Sequence, residues 1–123
     1  MKIVIYQINS ERDKHNIMFM NYESLEQFQG SSEVDSSIYD KIYVGDVPCE
    51  NLEEVYQMFN LERPDDFRGH SLSVSDVVEV VAGGKKELGY YFCDSFGYKQ
   101  IPFKTELCGI SERINIVEDR KDD

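Results

Sequence analysis

The chain has no tryptophan, no pair of cysteines two residues apart, and no apolar run near the ~20 residues that a membrane helix needs. Its three cysteines, Cys49, Cys93 and Cys108, are an odd number at long spacings. They offer neither a disulfide framework nor a zinc or redox pair. With His15 and His70 as the only histidines, metal-ligand spacing is absent too, so no metal and no cofactor are expected. The opening MKIVIYQINSERD turns polar too soon for a secretory apolar core. These absences point to a cytoplasmic protein with reduced thiols, neither exported nor inserted in a membrane.

Positive charge is also scarce. Thirteen Lys and Arg stand against 24 Asp and Glu, for a net charge of -11 and a pI near 4.5. The average field repels phosphate and anionic lipid, which argues against direct nucleic-acid binding. Such a surface keeps a protein soluble, and in a sharper reading it imitates a nucleic acid. No Gly-x-Ser-x-Gly elbow presents a nucleophile, and Gly83-Gly84 followed by Lys85-Lys86 is a hairpin tip without the spacing of a phosphate loop. There are no internal repeats.

What remains is the material of one folded domain. The 123 residues are 41% hydrophobic, with seven Phe and eight Tyr, enough to fill a compact interior. The expected domain covers 1–117, followed by a disordered charged tail, 118–123. Lys2 to Ile8 is β-branched and aromatic and predicts a first strand, with Ile3, Ile5 and Gln7 on one face and Asn16 to Met20 as a hairpin partner. Asn21 sits at an N-cap position before Tyr22, Leu25 and Phe28 at helical spacing, and Gly30 supplies a stop. Gly30 to Ser37 is small and polar and reads as a mobile loop.

Ile42 to Val47 predicts another strand, ended by Pro48. Asn51 and Glu54 form a capping pair for a helix whose stripe is Leu52, Val55, Tyr56 and Phe59, ending by about Leu61 ahead of Pro64. From Leu72 the even positions Leu72, Val74, Val78 and Val80 share a face, Tyr90 to Cys93 returns as a hairpin strand, and Tyr98 to Pro102 completes a meander. Ile114 to Val117 is a last apolar run. Strands and helices do not alternate regularly, so the expected class is α+β: a mostly antiparallel sheet of four or more strands with two short helices packed on one face.

The stretch NLERPDDFRGHSLSVSDVVEV, residues 60–80, and the block YYFCDSFGYKQIP, residues 90–102, carry a pattern of their own. On Arg63, Pro64, Phe67, Gly69, His70, Ser71, Ser73, Ser75, Asp76, Asp94, Phe96 and Gly97, with the preceding Phe59-Asn60, the chain resembles the YodL-like domain family. The match extends from Tyr6 to roughly Phe103. The resemblance implies an accessory module of Firmicutes chromosomes and of conjugative or phage-like mobile elements, sometimes fused into larger polyvalent proteins. It implies no catalytic residue.

Ser, His and Asp in one stretch suggest a hydrolase triad, but neighbouring residues of an extended chain cannot assemble one. His70 and Ser71 point to opposite sides, and Ser73 lies about 10 Å from His70. The economical reading is a turn permitted by Gly69, with polar side chains satisfying its backbone. The predicted loop, Arg63 to Asp76, is ordered by Asp66, His70, Ser73 and Asp76 and anchored in the core by Phe67. A binding reading instead turns Arg63, Phe67, Arg68 and His70 outward as a patch, with Ser73 and Asp76 beside it. Asp76 and Asp94 form a second candidate pair, since a hairpin centred near Lys85 sets residues 76 and 95 about opposite each other. The functional expectation is therefore a non-enzymatic module binding a host or element-encoded protein. The alternatives are an acidic DNA mimic and a hydrolase using His70 with Asp76 or Asp94.

Overall fold

The computed structural model describes residues 1–112, Ile114 and Asn115. Six strands form one sheet: β1 (Lys2–Ile8), β2 (Tyr39–Asp46), β3 (Val77–Ala82), β4 (Gly89–Cys93), β5 (Tyr98–Ile101) and β6 (Gly109–Ile110). Their order is β5-β4-β3-β1-β2-β6, and every pairing is antiparallel except the short parallel contact of β6 with β2. Two α-helices accompany them among the described residues, α1 (Leu25–Gln29) and α2 (Leu52–Leu61). The architecture is α+β with a mostly antiparallel sheet.

The near-continuous apolar character of β1 has a direct cause. The strand is central, and both of its faces are covered. Ile3 and Ile5 join Val78, Val80 and Tyr91 on one side, where Leu52, Val55 and Phe59 of α2 pack. Val4, Tyr6 and Ile8 join Val77 and Phe92 on the other, with Leu25 of α1. Successive side chains of a strand point to opposite faces, so the two helices lie on opposite sides of the sheet, not together on one. Neither face of β1 is left for water.

Asn16 to Met20 does not form a strand. The neighbours of β1 are β2 and β3, and the 16–20 segment is a set of turns whose backbone is met by a side chain: the Asp13 carboxylate accepts from the N–H groups of Ile17 and Met18, each at 2.9 Å. Helix α2 follows its capping signals. The Asn51 side chain accepts from Glu54 N–H, while the Glu54 carboxylate accepts from Glu50 N–H. Its buried stripe is Leu52, Val55 and Phe59, whereas Tyr56 is 42% exposed, because the stripe is narrower than the four positions of the pattern. Helix α1 is a single turn ended by Gly30 at φ 83°, with Leu25 buried and Phe28 exposed.

The segment after α1 is braced. Gln29 Nε2 donates to the carbonyls of Ser31 and Glu33, both at 2.7 Å, and Val34 and Ser36 are buried. In the β3–β4 hairpin Val77 faces Phe92, so the residue opposite Asp76 is Cys93, two positions earlier than expected; Cys93 N–H donates to the Asp76 carbonyl at 2.8 Å. Of the last apolar run, Ile114 is buried and the Asn115 side chain bonds both N–H and C=O of Val44. The remainder of that run and the tail 118–123 lie outside the described residues. No helix among the described residues is long and apolar enough to cross a membrane.

Candidate functional site

Gln7 is the buried polar exception in β1. It points to the same face as Ile3 and Ile5, is 3% exposed, and must find partners for an amide held away from water. It finds them in the loop before β3. Gln7 Oε1 accepts from His70 N–H at 3.2 Å, and Gln7 Nε2 donates to the His70 carbonyl at 2.8 Å and to Asp76 Oδ2 at 3.0 Å. Asp76 Oδ2 also accepts from Ser73 N–H at 2.8 Å. One buried amide thereby pins the whole turn from His70 to Asp76 onto the central strand.

The proton arrangement follows from the acceptors. His70 Nδ1 lies 2.8 Å from the Ser71 carbonyl, which can only accept, so Nδ1 carries the hydrogen. Both amide hydrogens of Gln7 are used on the His70 carbonyl and Asp76, and its 3.3 Å approach to Nδ1 is a contact between two donors. The other ring nitrogen, Nε2, faces Asp76 Oδ1 at 3.9 Å, and both atoms are buried without a hydrogen-bond partner among the described residues. Burial raises the Asp76 carboxyl well above the usual carboxylate range, opposed by the hydrogen bonds from Ser73 and Gln7.

In this geometry Nδ1 is held by the Ser71 carbonyl and Nε2 is buried against Asp76 Oδ1. Two of the motif's three serines have bonded hydroxyls. Ser73 Oγ donates to the Ser71 carbonyl at 2.7 Å, Ser75 Oγ accepts from Phe19 N–H at 2.9 Å, and among the described residues no serine hydroxyl bonds His70. Asp94 does not join Asp76: its carboxylate accepts from the N–H groups of Tyr22 and Ser95, and it closes a turn to Gly97. Cys93 beside them is no reactive thiolate, since burial first, then the Asp76 and Asp94 charges, push its thiol up to about 12. Among the described residues no three His, Cys, Asp or Glu side chains are grouped to hold a metal.

Of the outward patch, Arg63 and Arg68 are exposed and His70 is half-buried, but Phe67 and Asp76 are inside. Phe67 wedges edge-on against Phe59 and Tyr43, which makes it the anchor of its loop and removes it from the surface. Ser73 is half-buried within the turn. Asp66 accepts from Asn115 and not from its own loop. Gly69 is fixed by proximity: a Cβ there would fall 2.3 Å from Gln7 Oε1 and 2.7 Å from an Ile42 methyl.

Two participants lie outside the motif. Gln7 has a sequence signal, an amide at a core-facing position. Phe19 has none, because IMFM reads as apolar strand. Phe19 is 57% exposed and holds a left-handed backbone, φ 71°, its N–H bonded to Ser75, which is itself at φ 84°. The Phe19 ring meets the His70 ring edge-on at 5.5 Å. Ser75 is fixed in turn by the Cys93 carbonyl and by the Tyr39 hydroxyl at 2.6 Å. At the same end of the sheet the Asp94–Gly97 turn carries Phe96, 97% exposed.

The family model described as the YodL-like domain matches residues 2–103. That span holds Gln7, Phe19, His70, Asp76 and Phe96 and ends before β6. No curated protein and no solved structure matches the chain.

Proposed function

The chain belongs to the YodL-like domain family, and on that premise we propose that it is a non-enzymatic module acting by protein contact, in the cytoplasm, on a host or element-encoded partner. The observation that carries this reading is Phe19. An exposed aromatic in a left-handed backbone conformation costs about 1 kcal/mol or more and adds nothing to the core. The fold nonetheless holds it there through Ser75, His70 and the buried Gln7–Asp76 bond. Phe96 projects from the neighbouring turn. Large aromatics presented on a rigid base are the anchors from which protein interfaces draw most of their energy.

Affinity capture from a host lysate tests the reading with four baits: wild type, Phe19→Asn, Phe96→Ser, and Leu61→Ser as a control at the exposed end of α2. The expected result is a set of captured proteins lost with either aromatic variant and kept with the control. Equal capture by all four baits contradicts it.

A second reading, an acidic decoy for a nucleic-acid-binding protein, is favoured by one feature. Asp46, Glu50, Glu53, Glu54, Glu62, Asp65 and Asp66 are all exposed along α2 and its flanks, with Arg63 the sole cation between residues 46 and 66. Release of DNA from a restriction enzyme on addition of the protein supports it; unchanged DNA occupancy ends it.

A further inference from the structure

The turn pinned by Gln7 has two loose ends. Gln7 fixes the His70 backbone on both sides and one carboxylate oxygen of Asp76, and the Ser71 carbonyl fixes His70 Nδ1. What stays free is the Nε2 edge of the imidazole and Asp76 Oδ1, buried 3.9 Å apart without a hydrogen-bond partner among the described residues. That spacing is roughly 1 Å beyond a hydrogen bond. With the hydrogen on Nδ1 and the carboxyl ionised, a lone pair faces a lone pair and neither atom can donate. One proton on either atom turns the contact into a hydrogen bond, so the pair takes it up as a unit. Closing the gap swings the ring inward about its bond to Ser71. The same ring meets Phe19 edge-on at 5.5 Å, and among the described residues it is the one aromatic ring that does. The Phe19 N–H is held by the hydroxyl of Ser75, the residue next to Asp76.

The elements packed around Asp76 offer no rival for this proton. Gln7 of β1 is an uncharged amide. Burial above all pushes up the Tyr39 hydroxyl of β2, the Cys93 thiol of β4, to about 12, and the Tyr98 hydroxyl of β5, so these groups keep their own protons near neutrality. The further carboxylates that act on them are Asp13 and Asp35 on Tyr39, Asp94 on Cys93, and Glu53 of α2 on Tyr98. Their field is negative and favours a proton in the cluster. Among the described residues the imidazole is the only basic group within 4.0 Å of the Asp76 carboxylate.

We propose that His70 and Asp76 form a one-proton switch that sets the Phe19 ring: unprotonated, the pair stays apart and the imidazole supports the ring at the surface; protonated, it closes and withdraws that support. Control of docking by this switch rests on the reading of Phe19 as an interface anchor, whereas the movement of the ring does not and is measured on the protein alone. The test is NMR of the full chain, following the Phe19 ring and both histidine rings from about pH 8 to about pH 5, the span in which imidazoles exchange protons. The Phe19 and His70 resonances are expected to move along one single-proton curve. Asp76→Asn, whose amide donates to Nε2 at every pH, holds Phe19 at the wild-type low-pH position throughout. His70→Gln keeps a donor toward Asp76 but has no proton to exchange, and it too flattens the Phe19 curve, which provides a second variant should the first not fold. His15→Gln, at the other histidine, leaves the curve unchanged. A Phe19 ring indifferent to pH in the wild type, one that keeps its midpoint in Asp76→Asn or His70→Gln, or one that follows His15 overturns the proposal. Failure of the docking reading shows separately, as a Phe19→Asn bait that captures what the wild type captures.

Discussion

His70 Nε2 and Asp76 Oδ1 face each other at 3.9 Å inside the protein, and among the described residues neither atom has a hydrogen-bond partner. The spacing is too long for a hydrogen bond and too short to seat a water between them. With Nδ1 already donating to Ser71, one further proton placed on the carboxyl lets a small side-chain movement close the pair as O–H···N. Burial, which raises the Asp76 carboxyl, favours the neutral acid.

Asp76→Asn reproduces that neutral acid, since its amide nitrogen donates to Nε2 while its oxygen keeps the bonds from Ser73 and Gln7. The sign follows from linkage. A carboxyl whose folded pKa is raised binds its proton more tightly folded than unfolded, so its contribution to stability is present at low pH and is lost as pH climbs above the unfolded value of about 4 towards the folded one. In urea melts across that range the wild type loses stability and Asp76→Asn lacks this component, with a change within about 1 kcal/mol at neutral pH. Asp76→Ala costs about 3 kcal/mol, because it strands two buried donors. A pH slope shared by wild type and Asp76→Asn contradicts the assignment.

Gly69→Ala drives a methyl into Gln7 Oε1 and Ile42, and it costs about 1–3 kcal/mol, the range of core overpacking. Gly30→Ala, where nothing lies within 4 Å, carries only its backbone penalty of about 1 kcal/mol at φ 83°. Denaturant midpoints of the two variants, read side by side, separate crowding from conformation; a Gly69→Ala no worse than Gly30→Ala removes the crowding argument.

Much of this was legible in the residues. Strands β1, β4 and β5, the capping of α2 and the meander all follow local pattern, and so does the anchoring of the loop by Phe67. Three features were not legible, each for a physical reason. The division of the helices between faces depends on β1 being central, which is fixed by pairing with β2 and β3 from distant sequence. The turns at 16–20 are set by the Asp13 carboxylate, and the Phe19 conformation by Ser75, 56 residues away. The Gln7–His70–Asp76 knot joins segments 63 residues and more apart, so a motif read along the chain contains two of its members and misses the one that binds them.

Helix α2 gives a contrast within one pattern. Phe59→Ala empties a fully buried site packed on Tyr43 and Phe67 and costs about 3–5 kcal/mol. Tyr56→Ala, at an exposed position of the same stripe, stays within about 0.5 kcal/mol. Chemical denaturation of the pair checks the orientation of the helix, and equal losses would show it rotated.

Equilibrium unfolding in urea at pH 7 of His70→Ala beside Phe19→Asn most directly tests the division of roles in which His70 serves the fold and Phe19 the surface. His70→Ala removes the imidazole hydrogen bond to Ser71 and the neighbour of Asp76, and is predicted to lower stability by about 1–2 kcal/mol. Phe19→Asn places a residue that tolerates φ 71° where phenylalanine is strained, which offsets the lost edge contact with His70, so its stability is predicted to equal or exceed that of the wild type. An unchanged His70→Ala, or a Phe19→Asn as damaged as His70→Ala is predicted to be, would contradict the account.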